Sequence, residues 1–434
     1  MLVVTKFGGS SLSSSTQFQK VKNIVESDAK RKIVVVSALG KRSSDDTKIT
    51  DLLYILHAHL KYSVAYNDIW EMIYSRYVEI KDKLNIEYDI EQDLADLYSE
   101  LNKNISKDYL VSRGEYLTAK LMSAYLGYTF VDAKNILLFD YNGNLNDELT
   151  EKAVKEAFEK YGTIVVPGFY GGYPNGDIHL LSRGGSDVTG SILAKCLQVS
   201  LYENWTDVSG ILAADPRIVD NPKAIKEITY KELRELSYMG FNVLHEETIF
   251  PVRSLNIPIN LKNTNDPLHP GTIIKNNCEV TEELVTGIAG KKDFISFVIV
   301  KNHMSNEIGF LRKALSIFEK YNVSIDHIPS GIDSFSVICS RSNVSKYKYE
   351  IISDIKNELA ADVIVDDDLA LLAIVGRSMN GKSGVCGNIF STLGSLGINV
   401  KIIAQGPSEL SIIIGVETKD YDKALKALYN ILIG

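Results

Sequence analysis

Short runs of β-branched and other apolar residues alternate with helical patterns over roughly the first 280 residues of the chain. Apolar runs of about four to eight residues predict buried strands, whereas apolar residues that recur every three or four positions predict amphipathic helices. The predicted strands are Leu2–Thr5, Ile33–Val36, Ile164–Val166, Ser200–Tyr202 and Ile257–Leu261. Strands that alternate with helices in this way are typical of an α/β fold with a largely parallel sheet.

A tract between about residues 52 and 126 interrupts this alternation. It is rich in Leu, Tyr, Glu and Lys, and the aromatic residues Tyr54, Tyr62 and Trp70 lie within predicted helical turns. The tract therefore predicts a helical insert in the α/β domain. Aromatic residues in such positions are typical of core packing, so no cofactor role is predicted for them.

After a loop at 265–271 the pattern changes to two α+β repeats. The first repeat, 294–366, predicts the order strand, helix, strand, strand, helix, strand, with its second strand at Val323–Ile328. The second repeat, 369–434, begins in the same order but lacks the closing strand. Residues 284–289 have strand character and no assigned partner, so we expect them to complete the second repeat. The first repeat would then be an insertion within the second.

Length and charge narrow the class of protein. A chain of 434 residues is expected to form two or three domains, because single cores stop growing near about 250 to 300 residues. The formal net charge of -8 argues against nucleic acid or an anionic membrane as a partner, since both attract basic surfaces. The four cysteines include no C-x-x-C pair and predict buried thiols in a reducing compartment. Without an export signal or an apolar run of about 18 residues, the expected location is cytoplasmic.

Two glycine-rich turns carry most of the candidate chemistry. Lys6–Ser11 follows a predicted strand, and its paired glycines would let backbone N–H groups approach an anion closely. Ser182–Asp187 places Arg183, a natural fork for a carboxylate or a phosphate, beside two more glycines. Neither turn has the spacing of a P-loop or of a dinucleotide-binding turn. Taken alone, the first turn could also be an ordinary connection between a strand and a helix.

Together the two turns resemble those of the amino acid kinase family, and of the aspartokinases in particular. Further segments occur in the aspartokinase order along the chain. They are Ser37, Lys48–Asp51, Arg113–Glu115, Pro167–Phe169, Trp205–Val208, Asp215–Arg217 and Gly240–His245. The two repeats resemble ACT domains, which bind free amino acids. A generic ferredoxin-like pair that serves only dimerisation is the alternative.

This resemblance covers the whole chain and implies its domain organisation. Residues 1–280 would form an amino acid kinase-like sandwich with a largely parallel sheet and the helical insert. Residues 284–434 would form a regulatory region of two ferredoxin-like ACT domains. The first would lie at about 294–366, and the second at about 369–434 together with strand 284–289.

The implied reaction is the ATP-dependent phosphorylation of the side-chain carboxylate of L-aspartate to 4-phospho-L-aspartate. This is the first step in the biosynthesis of lysine, threonine and methionine. An aspartate carboxylate has a pKa of about 3.9, so at neutral pH it is ionised and needs no general base. Catalysis then depends on positioning and on neutralising charge in the transition state. A kinase for N-acetylglutamate or glutamate, and a non-catalytic ACT sensor of amino acids, remain the alternatives.

The candidate site residues follow from the turns and from the resemblance. Lys6 is the expected transition-state cation, and Gly8, Gly9 and Ser10 are expected to donate backbone N–H groups to the transferred phosphate. By resemblance, Arg183 would bind the α-carboxylate of aspartate and Glu115 its ammonium group. The rest of the amino acid pocket would comprise Ser37, Thr50, Phe169 and Ser186. The nucleotide would contact Lys6, Gly9, Thr206, Asp207, Arg217 and Asn242.

Three details of this site stay open or depart from the family. Asp187 near a helix start could cap the helix, or it could orient Lys6 or the substrate. Asn242 stands where aspartokinases often carry a lysine that reaches the nucleotide phosphates, which puts the tightness of ATP binding in doubt. Mg²⁺ should enter with ATP, held largely by phosphate oxygens and water, so no metal site built by the protein is predicted.

The resemblance also implies an effector site in the first repeat. The amides at a helix start would receive the carboxylate of an amino acid, and Asp326 would receive an ammonium group. The candidate residues are Met304, Gly309, Phe310, Leu311, Ser324, Ile325 and Asp326. Lysine is the expected effector and threonine the less favoured one, bound at a dimer interface in a homodimer or a dimer of dimers. Asp326 could instead be a solvated carboxylate in a turn.

Overall fold

The computed structural model describes residues 1–182, 184–241, 244, 246–279 and 282–434. In chain order, the strands are β1 (Val3–Phe7), β2 (Arg31–Val36), β3 (Thr129–Phe130), β4 (Ile164–Pro167), β5 (Tyr170–Gly172), β6 (Ile178–Leu180), β7 (Leu201–Thr206), β8 (Ile211–Leu212), β9 (Ala224–Ile225), β10 (Glu227–Thr229), β11 (Ile259–Asn263), β12 (Thr272–Lys275), β13 (Gly287–Val300), β14 (Ser334–Ser340), β15 (Asp362–Val375), β16 (Ile402–Gln405) and β17 (Ser411–Val416). The helices are α1 (Ser15–Glu26), α2 (Ile49–Lys61), α3 (Asn67–Leu84), α4 (Ile90–Glu100), α5 (Lys107–Leu126), α6 (Asp147–Tyr161), α7 (Gly185–Cys196), α8 (Tyr230–Tyr238), α9 (Glu246–Arg253), α10 (Phe310–Lys320), α11 (Arg341–Val344), α12 (Lys348–Leu359), α13 (Val385–Ser395) and α14 (Tyr421–Leu432).

The chain divides into two compact units. The first comprises Met1–Ile211, Lys226–Tyr230 and Val243–Cys278. The second comprises Leu212–Ile225, Lys231–Asn242 and Glu279–Gly434. Two segments that the sequence pattern places in the kinase-like region, 212–225 and 231–242, therefore belong to the second unit.

The first unit is built on a twisted sheet with the strand order β10-β12-β11-β7-β1-β2-β4-β3. Neighbouring strands are parallel except for β11 and β12. The run Ile33–Val36 in β2 is fully buried, as expected for a parallel strand that is covered on both faces. These features confirm the predicted α/β class with a largely parallel sheet.

The central parallel strands end at the same edge of the sheet. Phe7 pairs with both Val36 and Trp205, and Val36 pairs with Pro167. Ligands of open parallel sheets bind outside the carboxyl ends of the strands. We therefore expect the functional site among the residues that follow these strand ends.

The helical insert consists of α2 to α5 and shares an apolar core with β1 and β2. Helix α5 begins after Ser106, whose side chain accepts a hydrogen bond from the Tyr109 amide, and ends at Gly127 in a left-handed conformation. Core packing is confirmed for Trp70, which is buried, but it is wrong for Tyr54 and Tyr62, which are exposed. An aromatic residue on a helix of this insert can face solvent, and helical position alone does not separate the two faces.

The second unit contains an antiparallel sheet with the strand order β14-β13-β15-β17-β16. Strands β13 and β15 are each 14 residues long and pair from Gly287 with Val375 to Val300 with Asp362. Their register shifts between Lys291 and Ser296. One half of each long strand belongs to the first repeat, and the other half belongs to the second.

The closing strand of the second repeat is found where counting strands placed it. Within 284–289, residues Gly287 to Ala289 pair with the half of β15 that also pairs with β17. The paired strand begins at Gly287 rather than at residue 284, although the Thr286 amide already donates a hydrogen bond to the Val375 carbonyl at 2.7 Å.

The strand predicted at Val323–Ile328 is wrong. Residues 323–328 form only an isolated bridge, between His327 and Ile338. Asn322 adopts a left-handed conformation just before this segment, and Pro329 follows it without an N–H group to extend a ladder. Both ends of the segment are therefore unsuited to a regular strand.

Candidate active site

A cavity of about 1170 Å³ opens in the first unit at the carboxyl edge of the parallel strands. Its walls come from both glycine turns, from the ends of β2 and β7, and from α2 and α5. The predicted site residues that line it are Lys6, Gly8, Gly9, Ser10, Ser37, Thr50, Glu115, Phe169, Ser186, Asp187, Thr206 and Asp207. Segments that lie far apart in the sequence thus form one site.

Lys6 and Asp187 form an ion pair in this cavity. Asp187 lies in the first turn of α7, but the cap of that helix is Gly184, so the Asp187 side chain is not the cap. Its Oδ1 atom also accepts a hydrogen bond from the Asn204 side chain at 2.9 Å. Asn204 pairs with Lys6 across β7 and β1, which explains how two strands and a helix bring the three side chains together.

The first glycine turn packs tightly against the loop after β2. The Gly40 amide donates to the Gly9 carbonyl at 2.9 Å, and a Cβ atom on Gly40 would lie 2.4 Å from that carbonyl oxygen. Only a glycine fits this approach. The Gly8 amide already donates to the Trp205 carbonyl at 3.0 Å. This corrects the expectation for Gly8 and leaves Gly9 and Ser10 as candidate amide donors to a phosphate.

Glu115 is the most perturbed carboxylic acid of the cavity wall. It is 4% exposed, and its Oε2 atom has no hydrogen-bond partner among the described residues. Burial raises the pKa of Glu115 to about 8, although the Ala38 amide donates a hydrogen bond to it. A buried carboxyl oxygen without a partner, in the wall of a cavity, is suited to a cationic group of a ligand.

Phe169 and the start of α7 form another part of the cavity wall. Phe169 adopts φ 75°, a left-handed conformation that is uncommon for an aromatic residue. Its amide donates to the Thr189 hydroxyl at 3.2 Å, and its carbonyl accepts from the Leu181 amide at 2.9 Å. A Cβ atom on Gly185 would lie 2.7 Å from the Phe169 ring. The second glycine turn therefore fits against this aromatic side chain.

Three predicted residues are not placed in the cavity. Arg217 belongs to the second unit, is highly exposed, and pairs with Asp215 at 2.6 Å. Arg183 and Asn242 lie outside the described residues. The nucleotide role of Arg217 and Asn242 and the carboxylate role of Arg183 stay predictions.

Several residues of the cavity were missed from the sequence. Asn204 was missed because its position depends on the pairing of β1 with β7, which a single sequence does not reveal. Tyr54 was assigned to the core, but it lines the cavity, and its partial burial together with the carboxylate of Asp108 raises its pKa. Lys48 and Asp51 also line the cavity, and the motif that contains them was the available signal.

The predicted effector residues lie in the second unit. Helix α10 begins at Phe310, after Gly309 in a left-handed conformation. Met304 and Phe310 are buried in an apolar core, and Ile325 packs against it. The Asp326 carboxylate accepts a hydrogen bond from the Tyr238 hydroxyl of α8, so it is not merely a solvated turn residue.

Comparison with known proteins defines the class first. The model of the amino acid kinase family matches residues 1–263, and an ACT domain model matches residues 372–432. The parallel sheet with its two glycine turns is thus an amino acid kinase domain, and an ACT domain follows it.

Full-length relatives define the family more closely. Aspartokinase 3 of Bacillus subtilis is 39% identical over 443 residues, which cover 98% of each chain. The crystal structure of Clostridium acetobutylicum aspartate kinase matches with a TM-score of 0.92 and 47% identity over 99% of each chain. Escherichia coli aspartokinase III in complex with aspartate and ADP matches with a TM-score of 0.76 and 25% identity over 100% of each chain. The same enzyme has been solved with lysine and aspartate.

The chain belongs to the aspartokinase family. It is an aspartate kinase, which phosphorylates aspartate and carries ACT regulatory domains.

Proposed function

We propose that the cavity holds MgATP and L-aspartate together, with Lys6 as the cation of phosphoryl transfer and Glu115 as the partner of the substrate ammonium group. The observation that carries this proposal is the pairing of two features in one cavity. The buried carboxyl group of Glu115 has no partner on its Oε2 atom within the described part of the chain, and the buried side chain of Lys6 lines the same space. The ammonium group of the amino acid needs a carboxylate partner, and the anionic nucleotide needs a cation.

The ion pair between Lys6 and Asp187 must loosen for Lys6 to act on the nucleotide. Phosphate oxygens attract the Lys6 ammonium group in competition with Asp187. Because Asn204 also donates to Oδ1 of Asp187, that carboxylate keeps a hydrogen bond when Lys6 turns to the phosphate. Asp187 therefore positions Lys6 and still allows it to bind the phosphate.

The substrate carboxylate attacks the γ-phosphorus in its ionised form, so the protein need not remove a proton. Charge on the transferred group is neutralised by Lys6 and by the amides of Gly9 and Ser10. Ser37, Thr50, Phe169 and Ser186 complete the pocket for aspartate, and Arg183 binds its α-carboxylate. Thr206 and Asp207 contact the nucleotide.

Mg²⁺ accompanies ATP in this proposal. No group of three or more His, Cys, Asp or Glu side chains among the described residues is arranged to hold a metal ion. Mg²⁺ prefers oxygen ligands and keeps several waters, so phosphate oxygens and water would provide most of its ligands. Its chemistry there would be to neutralise phosphate charge alongside Lys6.

Regulation by an amino acid is assigned to the ACT repeats, and lysine is the favoured effector. The carboxylate of Asp326 suits an effector with a second ammonium group, which lysine has and threonine lacks. Binding at an interface between two chains would couple the effector to activity in a homodimer or a dimer of dimers. A preference of about 1 to 3 kcal/mol for a less active arrangement suffices for roughly 5- to 150-fold inhibition.

The experiment that tests the catalytic role is Lys6→Ala in a coupled ADP-release assay, with Lys30→Ala as control on the exposed surface. We expect kcat to fall about 100-fold or more in Lys6→Ala, with little change in the KM for aspartate. A near-normal kcat would remove Lys6 from the mechanism. Glutamate and N-acetylglutamate serve as rival acceptors in the same assay, and turnover of either one as efficiently as aspartate would contradict the aspartate pocket.

A further inference from the structure

One buried arginine of the helical insert contacts two loops, the turn that ends at Ser13 and the loop between β2 and α2. Arg76 lies on α3 and is 4% exposed. Its Nη1 atom donates to the Thr47 carbonyl at 2.9 Å, and its Nη2 atom donates to the carbonyls of Ser13 at 3.3 Å and Gly40 at 2.5 Å. The Asp46 carboxylate lies 3.4 Å from Nη1 and balances the charge.

Both loops supply residues to the cavity. Ser13 ends the turn that presents Gly9 and Ser10, whereas Gly40 itself lines the cavity. Thr47 directly precedes Lys48, another lining residue. The two loops also touch each other, because the Gly40 amide donates to the Gly9 carbonyl, and the Ile49 amide closes the second loop by donating to the Leu39 carbonyl. Arg76 therefore lies behind the point where they meet.

A guanidinium group is suited to this position. It offers five N–H donors in a rigid plane, so one side chain can satisfy carbonyls from several directions. A lysine has a single ammonium group and cannot span the same acceptors. Buried carbonyls that lose their donor are costly, and loops that lose a shared donor become free to separate. Asp46, which also pairs with Arg42, keeps the buried charge compensated.

We propose that Arg76 is a positioning residue for phosphoryl transfer, which holds the turn of Gly9 and the loop of Gly40 and Thr47 in the arrangement that the reaction needs. Arg76 does not line the cavity itself, so it acts through these loops. This inference rests on the roles proposed above for Gly9 and Ser10. It gives the helical insert a function in catalysis that its aromatic residues did not indicate.

The test compares Arg76→Ala with Lys81→Ala, a matched variant on the same helix whose ammonium group pairs with Glu91 at 2.6 Å near the surface. We expect kcat of Arg76→Ala to fall about 10- to 100-fold, because small displacements of reacting groups have effects of this size. The KM values for ATP and aspartate should change by less than about threefold, and Lys81→Ala should keep the wild-type kcat.

Chemical rescue separates positioning from general damage to the fold. Millimolar guanidinium chloride, far below denaturing concentrations, should restore at least part of the lost kcat of Arg76→Ala. Methylammonium chloride, which carries charge without the planar fork, should restore less. A wild-type kcat in Arg76→Ala overturns the proposal, and so does a folded variant whose activity guanidinium restores no better than methylammonium.

Two further variants keep the result decisive. If Arg76→Ala is recovered unfolded, Arg76→Lys replaces it. A reduced kcat at the wild-type Tm then supports the proposal, and a wild-type kcat overturns it. Lys6→Ala is assayed alongside. An active Lys6→Ala would refute the proposed role of that lysine, whereas an unrescued Arg76→Ala beside an inactive Lys6→Ala refutes only the positioning role.

Discussion

Replacing Glu115 with glutamine should stabilise the protein at neutral pH while it weakens aspartate binding. Burial raises the pKa of Glu115 to about 8, from an ordinary value near 4.5. The unfolded chain thus loses this proton at much lower pH than the folded chain does. The contribution of Glu115 to the free energy of unfolding is fully present below about pH 4.5 and is lost as the pH rises toward 8. Glutamine does not ionise and removes this dependence.

The size of the effect follows from the shift. One pKa unit corresponds to about 1.4 kcal/mol, so at about pH 7 the folded state carries a penalty of roughly 3 kcal/mol from Glu115. Above about pH 8 the penalty levels off near roughly 5 kcal/mol. We expect the Tm of Glu115→Gln to exceed that of the wild type at about pH 8, and the difference to shrink toward about pH 5.

Substrate binding should change in the opposite direction. The ammonium group of aspartate needs the ionised carboxylate of Glu115. The ionised fraction of Glu115 in the free enzyme rises roughly 50-fold between about pH 6 and pH 8. The KM for aspartate in the wild type should therefore fall across this range. Glu115→Gln should raise the KM at about pH 8 by roughly 10- to 100-fold and flatten its pH dependence.

The assay combines thermal unfolding with ADP release at several pH values, and Glu71→Gln on the exposed face of the insert is the control. Equal KM profiles for the wild type and Glu115→Gln would exclude Glu115 as the ammonium partner. A Tm of Glu115→Gln below that of the wild type at every pH would refute the penalty for ionising a buried carboxyl group.

Three further predictions concern the nucleotide and the effector. If the missing lysine limits phosphate binding, Asn242→Lys should lower the KM for ATP and leave that for aspartate unchanged, and unchanged KM values would mean that another cation fills this role. Asp326→Ala should keep its uninhibited rate and lose inhibition by millimolar lysine in the same assay. Tyr238→Phe removes the hydroxyl that donates to Asp326 and would compete with the effector for it, so this variant should be inhibited at lower lysine concentrations than the wild type. A loss of sensitivity to lysine in Tyr238→Phe would contradict this competition.

Much of the architecture could be predicted from local pattern. The apolar runs located the central strands, and helical spacing located the insert, because both signals come from residues that are close in sequence. Counting strands assigned Gly287 to Ala289 to the second repeat. The segment Val323–Ile328 had the composition of a strand, yet the backbone constraints of Asn322 and Pro329 prevailed over that preference.

The site was harder to predict where it depends on contacts between distant segments. The sequence left Asp187 open between two roles, and only its contacts with Lys6 and Asn204 distinguish them. Arg76 gave no signal, since an arginine on a polar helix usually faces solvent. Its role depends on loops that lie from 29 to 63 residues away in the sequence. Local composition does not show that distant loops meet at one side chain.

The long shared strands β13 and β15 constrain how the protein can emerge from the ribosome. Residues Gly287 to Lys291 are synthesised about 80 residues before their partners in β15. At synthesis rates of about 5 to 20 residues per second, this part of β13 waits roughly 4 to 16 seconds with an open edge. During that time the other half of β13 can pair with β14, because β14 is translated earlier than β15. The nascent chain thus passes through a stage with these two strands paired and Gly287 to Lys291 still unmatched, which leaves an exposed strand edge open to unwanted pairing.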